Sequence, residues 1–140
     1  MLYNGANGET AIQLKQLINY DKHNISDGDM NETFNVFLTQ STADNNNFVL
    51  NIANRLLVQN KYPILNRFTD TLKNSFKADI QSVDFVKDGK NAVKVINEWI
   101  ATKTNNKIEK LFDEPFIPST RLVIVNAVYF KGMLFNQLLK

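Results

Sequence analysis

The sequence predicts an α+β fold, and two observations carry that expectation. Four segments place apolar residues at the three- and four-residue spacing of a helix face, while three others read as short strands. The connections between them differ too much in length for a regular βαβ array. The chain has 140 residues, the length of one ordinary domain, and a compact chain of that size buries about two-thirds of its unfolded surface.

The elements follow in order α-α-β-α-β-α-β. Thr10 followed by Gln13 fits a capping box that opens a short helix with Leu14 and Leu17 on one face. Residues 22 to 31, KHNISDGDMN, are polar and turn-rich and read as a loop. Met30, Phe34, Phe37, Leu38 and Ser41 then share a helix face, which TADNNN at 42 to 47 ends. Residues 48 to 57 read as a strand with Phe48, Leu50, Ile52 and Leu56 on one side and Asn51 and Arg55 on the other. Pro63 suits the first position of a helix carrying Leu65, Phe68, Leu72 and Phe76. Residues 78 to 85 form a short strand with the pattern of an edge. After the turn KDGK, residues 91 to 104 place Ala92, Val93, Ile96, Trp99 and Ile100 on one helix face. A connection with two prolines follows, and its Ile108, Leu111, Phe112, Phe116 and Ile117 predict a loop packed on the body. Residues 121 to 132, RLVIVNAVYFKG, close the pattern as a strand that is apolar on both sides.

Composition excludes several classes of function. Lys and Arg total 16 against 14 Asp and Glu, a net charge of +2, so nothing points to nucleic acid or an anionic membrane. No apolar run is long enough to span a bilayer, and the N-terminus lacks the basic and apolar regions of a signal peptide. With no cysteine, disulfides, zinc-thiolate sites and cysteine catalysis are out. His23, the one histidine, lies in the polar loop, and a turn does not supply the rigid setting that catalysis requires. Asp27, Asp29 and Asn31 match the first three ligands of a calcium loop. The glycine that loop needs at its sixth position is Glu32 and the carboxylate of its twelfth is Leu38, so acidic residues at a helix start are the better reading. GANG, residues 5 to 8, has neither the preceding strand nor the following Lys-Ser/Thr of a phosphate loop and reads as a turn. Asn24 and Asn31 begin glycosylation sequons, about as many as chance supplies in a chain this rich in Asn. Trp99 reads as a core anchor. Asn126 shares its row with Leu122, Ile124, Val128 and Phe130. That row predicts burial, with the amide either satisfied by neighbouring backbone or serving as a polar lock between strands. Neither a catalytic constellation nor a cofactor motif emerges, and the chain reads as no enzyme.

Four blocks, MLYNGANGETAIQL (1–14), LNIANRLLVQNKYPIL (50–65), INEWIATKTNNKI (96–108) and TRLVIVNAVYFKG (120–132), together resemble the serpin family of serine protease inhibitors. The resemblance runs to Gly132 and covers less than half of the family's domain. It implies that residues 1–7 end the second helix and that the helices near 10–19 and 29–42 are the third and fourth. Residues 79–85, 48–57 and 121–130 would be strands 1, 2 and 3 of the large sheet A, with the helix near 90–104 lying across it. It further implies that Asn126 is the shutter asparagine, that Ile96, Trp99 and Ile100 anchor the covering helix, and that Gly132 ends the strand.

An intact serpin offers a reactive loop, forms an acyl-enzyme with the protease and inserts the cut loop into sheet A. On that comparison, residues 1–140 read as a single partial domain. They lack the first helix, most of sheets B and C, strand 5 of sheet A and the reactive loop. The tail at 133–140 diverges, with Leu134 where the family commonly has Trp. The expectations are a serine protease as target of the full-length parent, no trapping by this chain, and an extracellular setting. No cofactor and no metal are expected. The fourth-helix segment lacks Lys and Arg between Met30 and Ser41, so no heparin site is expected. Self-association or strand addition at an exposed sheet edge is the alternative role.

Overall fold

The structure is a computed structural model describing residues 1–42 and 48–132. In chain order the elements are α1 (Leu2–Gly5), α2 (Gly8–Leu17), a 3-10 turn at Asp21–His23, α3 (Asp27–Ser41), β1 (Phe48–Gln59), α4 (Asn66–Phe76), β2 (Ala78–Val83), α5 (Gly89–Lys103) and β3 (Leu122–Gly132). The expected divergence of 133–140 and most of the expected helix end at 42–47 lie outside the described residues. The strands form one mixed sheet in the order β2-β1-β3, the order 1-2-3 of sheet A that the resemblance implies. β1 runs parallel to β2 through the α4 crossover and antiparallel to β3, with Phe48 opposite Gly132 and Val58 opposite Leu122.

β1 is the middle strand because side chains of both its faces find cover. Leu56 and Val58 pack with Met30, Leu72 and Phe76 beneath α3 and α4, whereas Leu57 packs with Ile96, Trp99 and Ile100 of α5. A strand buried on both sides loses the polar-apolar alternation of a surface strand, which is why LLV at 56–58 is uninterrupted. Each large side chain so buried stabilises the fold by about 1.5–3 kcal/mol.

Four sequence expectations need correction, three of them at element ends. The N-cap of α2 is Asn7, whose side chain accepts the Gly8 N–H, so Thr10 sits inside the first turn. The supposed loop at 22–31 is helical from Asp27. Ser26 Oγ accepts the Asp29 N–H at 3.1 Å and the Asp29 carboxylate accepts the Ser26 N–H at 3.3 Å, closing a capping box. The Ser26 hydroxyl also donates to the Asp29 carboxylate at 2.6 Å, and this bond first, then the one from the Ser26 N–H, holds the Asp29 carboxyl below its ordinary range. Pro63 precedes α4, which starts at Asn66 after an extended segment. Phe37 of α3, expected on the buried face, is exposed, while Met30 and Leu38 are buried.

The connection from 104 to 121 packs through part of its apolar set. Phe112 and Phe116 lie against the core beside Phe85, and Ile108, Leu111 and Ile117 stay exposed. Asn97 of α5 holds the connection in place: its amide donates to the Phe112 carbonyl and accepts the Leu111 and Phe112 N–H groups. Gly89 allows the closest approach, because a Cβ there would fall 2.6 Å from the Phe116 carbonyl oxygen.

Candidate functional site

The chemically distinctive region is β3 together with what covers it. Val125 and Ala127 point under α5 and are buried, so one apolar face is roofed as expected. The other row is open. Of its apolar residues Ile124 alone packs, half-buried, against the cluster under α3 and α4, while Leu122 is 39%, Val128 55% and Phe130 66% exposed. Asn126 is therefore exposed too, contrary to the burial its row predicts. A cleft of about 530 Å³ between α1, α2 and residues 62–68 continues this open row at Leu122 and Ile124.

Asn126 has a partner within the chain that sequence reasoning missed. Its Nδ2 donates to Asn54 Oδ1 at 2.8 Å, and Asn54 Nδ2 donates to the Phe76 carbonyl at 2.7 Å. Asn54 is 8% exposed. The two asparagines face each other across the β1–β3 ladder, so one polar chain links β3, β1 and the end of α4. The signal was present in LNIANRLL, where Asn54 interrupts the row of Leu50, Ile52 and Leu56 just as Asn126 interrupts its own. Antiparallel pairing brings the two interruptions together.

Above the sheet, Ile96, Trp99 and Ile100 are buried against Leu57, Val125 and Ala127. Arg55, read from sequence only as a polar residue, stacks its guanidinium 5.5 Å from the Trp99 ring centre. It also pairs with Asp79 at 3.0 Å and donates to Gln81 Oε1. One arginine thus joins β1, β2 and the covering helix through a stack and two polar contacts. Gly132 closes β3 at an exposed position opposite Phe48.

The remaining candidates are scattered. His23 is exposed. Asp27 accepts the Tyr3 hydroxyl at 2.7 Å, Asp29 serves the cap, and Leu38 is buried in the core, so the calcium-like residues are occupied by folding roles. Among the described residues, no group of three or more His, Asp or Glu is placed to hold a metal ion, and no helix is long and apolar enough to cross a membrane. Asn24 is exposed with φ +52°, whereas Asn31 is half-buried and accepts a hydrogen bond from Asn4.

A mixed sheet covered on one face by α5, with β3 at its antiparallel edge among the described residues, defines an α+β domain. The chain is a member of the serpin family: the family model described as Serpin (serine protease inhibitor) matches residues 1–138. It is similar to Iripin-3 of Ixodes ricinus, 40% identical over 132 residues that make up 94% of this chain and 34% of that protein. Intracellular coagulation inhibitor 2 of Tachypleus tridentatus is 38% identical, over 94% of this chain and 32% of its own. Emu (Dromaius novaehollandiae) ovalbumin superposes with a TM-score of 0.81 at 26% identity, covering 93% of this chain and 36% of that one. The chain spans about a third of the length of the curated relatives it matches.

Proposed function

We propose that these 140 residues are the sheet-and-cover part of a serpin inhibitory domain, and that the activity of the whole domain is inhibition of a serine protease. The observation that carries this is the helix-roofed sheet at β3, joined to a family match over nearly the whole chain. In this reading Asn126, with Asn54, is the shutter pair beside the place where the sheet opens. Ile96, Trp99 and Ile100 hold the covering helix, and Gly132 ends the strand that would border the inserted loop. In this reading no described residue is assigned to a reactive loop or to strand 5, and trapping is assigned to the parts of the serpin domain outside the third that the chain spans. Incubation with a panel of serine proteases is expected to give no SDS-stable covalent complex. A complex formed by these 140 residues would sink the assignment.

Family membership does not fix the compartment, since relatives include proteins named intracellular coagulation inhibitors. The expected extracellular setting therefore loses its basis in resemblance. As a second reading we propose that β3, at the edge of the described sheet with Val128 and Phe130 exposed, accepts another strand, from a second copy or from the rest of a serpin domain. Light scattering across concentrations tests it, and a strictly monomeric folded chain would argue against it.

A further inference from the structure

We propose that Asn7 is a site of spontaneous deamidation, and that the fold selects it over Asn4. The sequence contains two Asn-Gly pairs, Asn4-Gly5 and Asn7-Gly8. An Asn followed by Gly is the most labile setting for an asparagine amide, because no side chain hinders the approach of the glycine nitrogen. In the reaction that nitrogen gives up its proton and attacks the Asn Cγ. A C–N bond closes a five-membered succinimide, and the side-chain nitrogen leaves as ammonia. Water then adds to either imide carbonyl, leaving aspartate or iso-aspartate. Water is the only co-reactant, and nothing is oxidised or reduced.

The two pairs meet different constraints. Asn7 is exposed and extended, at φ −143° and ψ 161°, outside the helical hydrogen-bond ladder. The Gly8 N–H is one of the helix-start amides that lack an intrahelical acceptor. It bonds instead to Asn7 Oδ1 at 2.9 Å, which keeps the attacking nitrogen beside the carboxamide it must reach. Gly8 has φ +56°, and nothing lies within 4 Å of the position a Cβ would take, so the approach is unobstructed. Turning Asn7 into the reactive conformation breaks one cap bond. Asn4 lies within α1, half-buried, with Nδ2 donating to Asn31 Oδ1 at 2.8 Å. A Cβ on Gly5 would fall 2.9 Å from the Phe68 ring, so that peptide turns only after α1 leaves Phe68 and Asn31.

The products differ in consequence. Aspartate at position 7 still caps α2 and places a negative charge at its start. Iso-aspartate carries an extra backbone carbon and pulls the cap out of register. Either lowers the net charge of +2 by one.

The test is incubation of the full chain at mildly alkaline pH, followed by peptide mass mapping and an enzymatic methyl-transfer assay for iso-aspartate. Asn7 is expected to convert at least about tenfold faster than Asn4, the factor imposed by a local opening that costs ~1.4 kcal/mol. Unfolding in urea should bring the two rates together. Asn7→Ser keeps a capping oxygen and is expected to preserve the unfolding temperature while removing the iso-aspartate from that peptide. Equal rates at Asn4 and Asn7 in the native chain, or an undiminished iso-aspartate yield in Asn7→Ser, would overturn the proposal.

Discussion

Asn54 donates to a carbonyl that the helix itself cannot satisfy. Phe76 is the last residue of α4, and the final carbonyls of a helix have no partner within it. Removing the amide with Asn54→Ala leaves the Phe76 oxygen without its bond in a buried place and frees Asn126. The expected cost is about 1–3 kcal/mol. Asn126→Ala removes a donor on the exposed side and is expected to cost less than ~1 kcal/mol. Because the two amides are joined at 2.8 Å, the double variant should lose less than the sum of the singles, by a coupling of about 0.5 kcal/mol or more. Denaturant unfolding of the four species measures this, and strict additivity would show that the chain of bonds has no energetic reality. Asn126 was legible as an anomaly in an apolar row because the row is local in sequence. Its partner was not, since the contact spans 72 residues and depends on the β1–β3 register.

Whole elements were more legible than their ends. α5 stands out because Ala92, Val93, Ile96, Trp99 and Ile100 all face one core, and this pattern survives any shift of a boundary. The start of α2 rests on one capping bond and that of α4 on no side-chain cap at all, and there Asn7 displaced Thr10 while Pro63 stayed outside. Helix ends also carry local strain. Lys77 follows α4 in the left-handed region at φ +50° and lets β2 begin at once with Ala78. A side chain with a Cβ is disfavoured there by about 1 kcal/mol relative to glycine. Lys77→Gly is thus expected to stabilise the fold by roughly 0.5–1 kcal/mol, raising the thermal unfolding midpoint by a few degrees. A lowered midpoint in circular dichroism would mean that the lysine side chain contributes more than the backbone conformation costs.

At the scale of the molecule, the open row of β3 sets how the chain behaves among copies of itself. The double-sided apolarity of 121–132 was legible, but the sequence pattern alone did not tell which face α5 would take. The structure gives α5 the side of Val125 and Ala127, so Val128 and Phe130 face outward on a strand at the sheet edge. An edge strand offers backbone groups for pairing, and natural edges usually discourage this with charge or proline. Here the row carries neither between Leu122 and Phe130, and a net charge of only +2 provides little repulsion. Concentration-dependent association is therefore expected. Val128→Lys is the clean test, because Val128 is half exposed and belongs to neither buried cluster. Phe130 already leans on Phe48, 5.9 Å between ring centres, so replacing it also disturbs β1. Val128→Lys should lower the scattering mass toward that of a monomer while leaving the unfolding transition in place. Scattering that is unchanged by Val128→Lys would place the association elsewhere, with the α2 face around Leu17 and Ile18 next to be tested, since both are exposed.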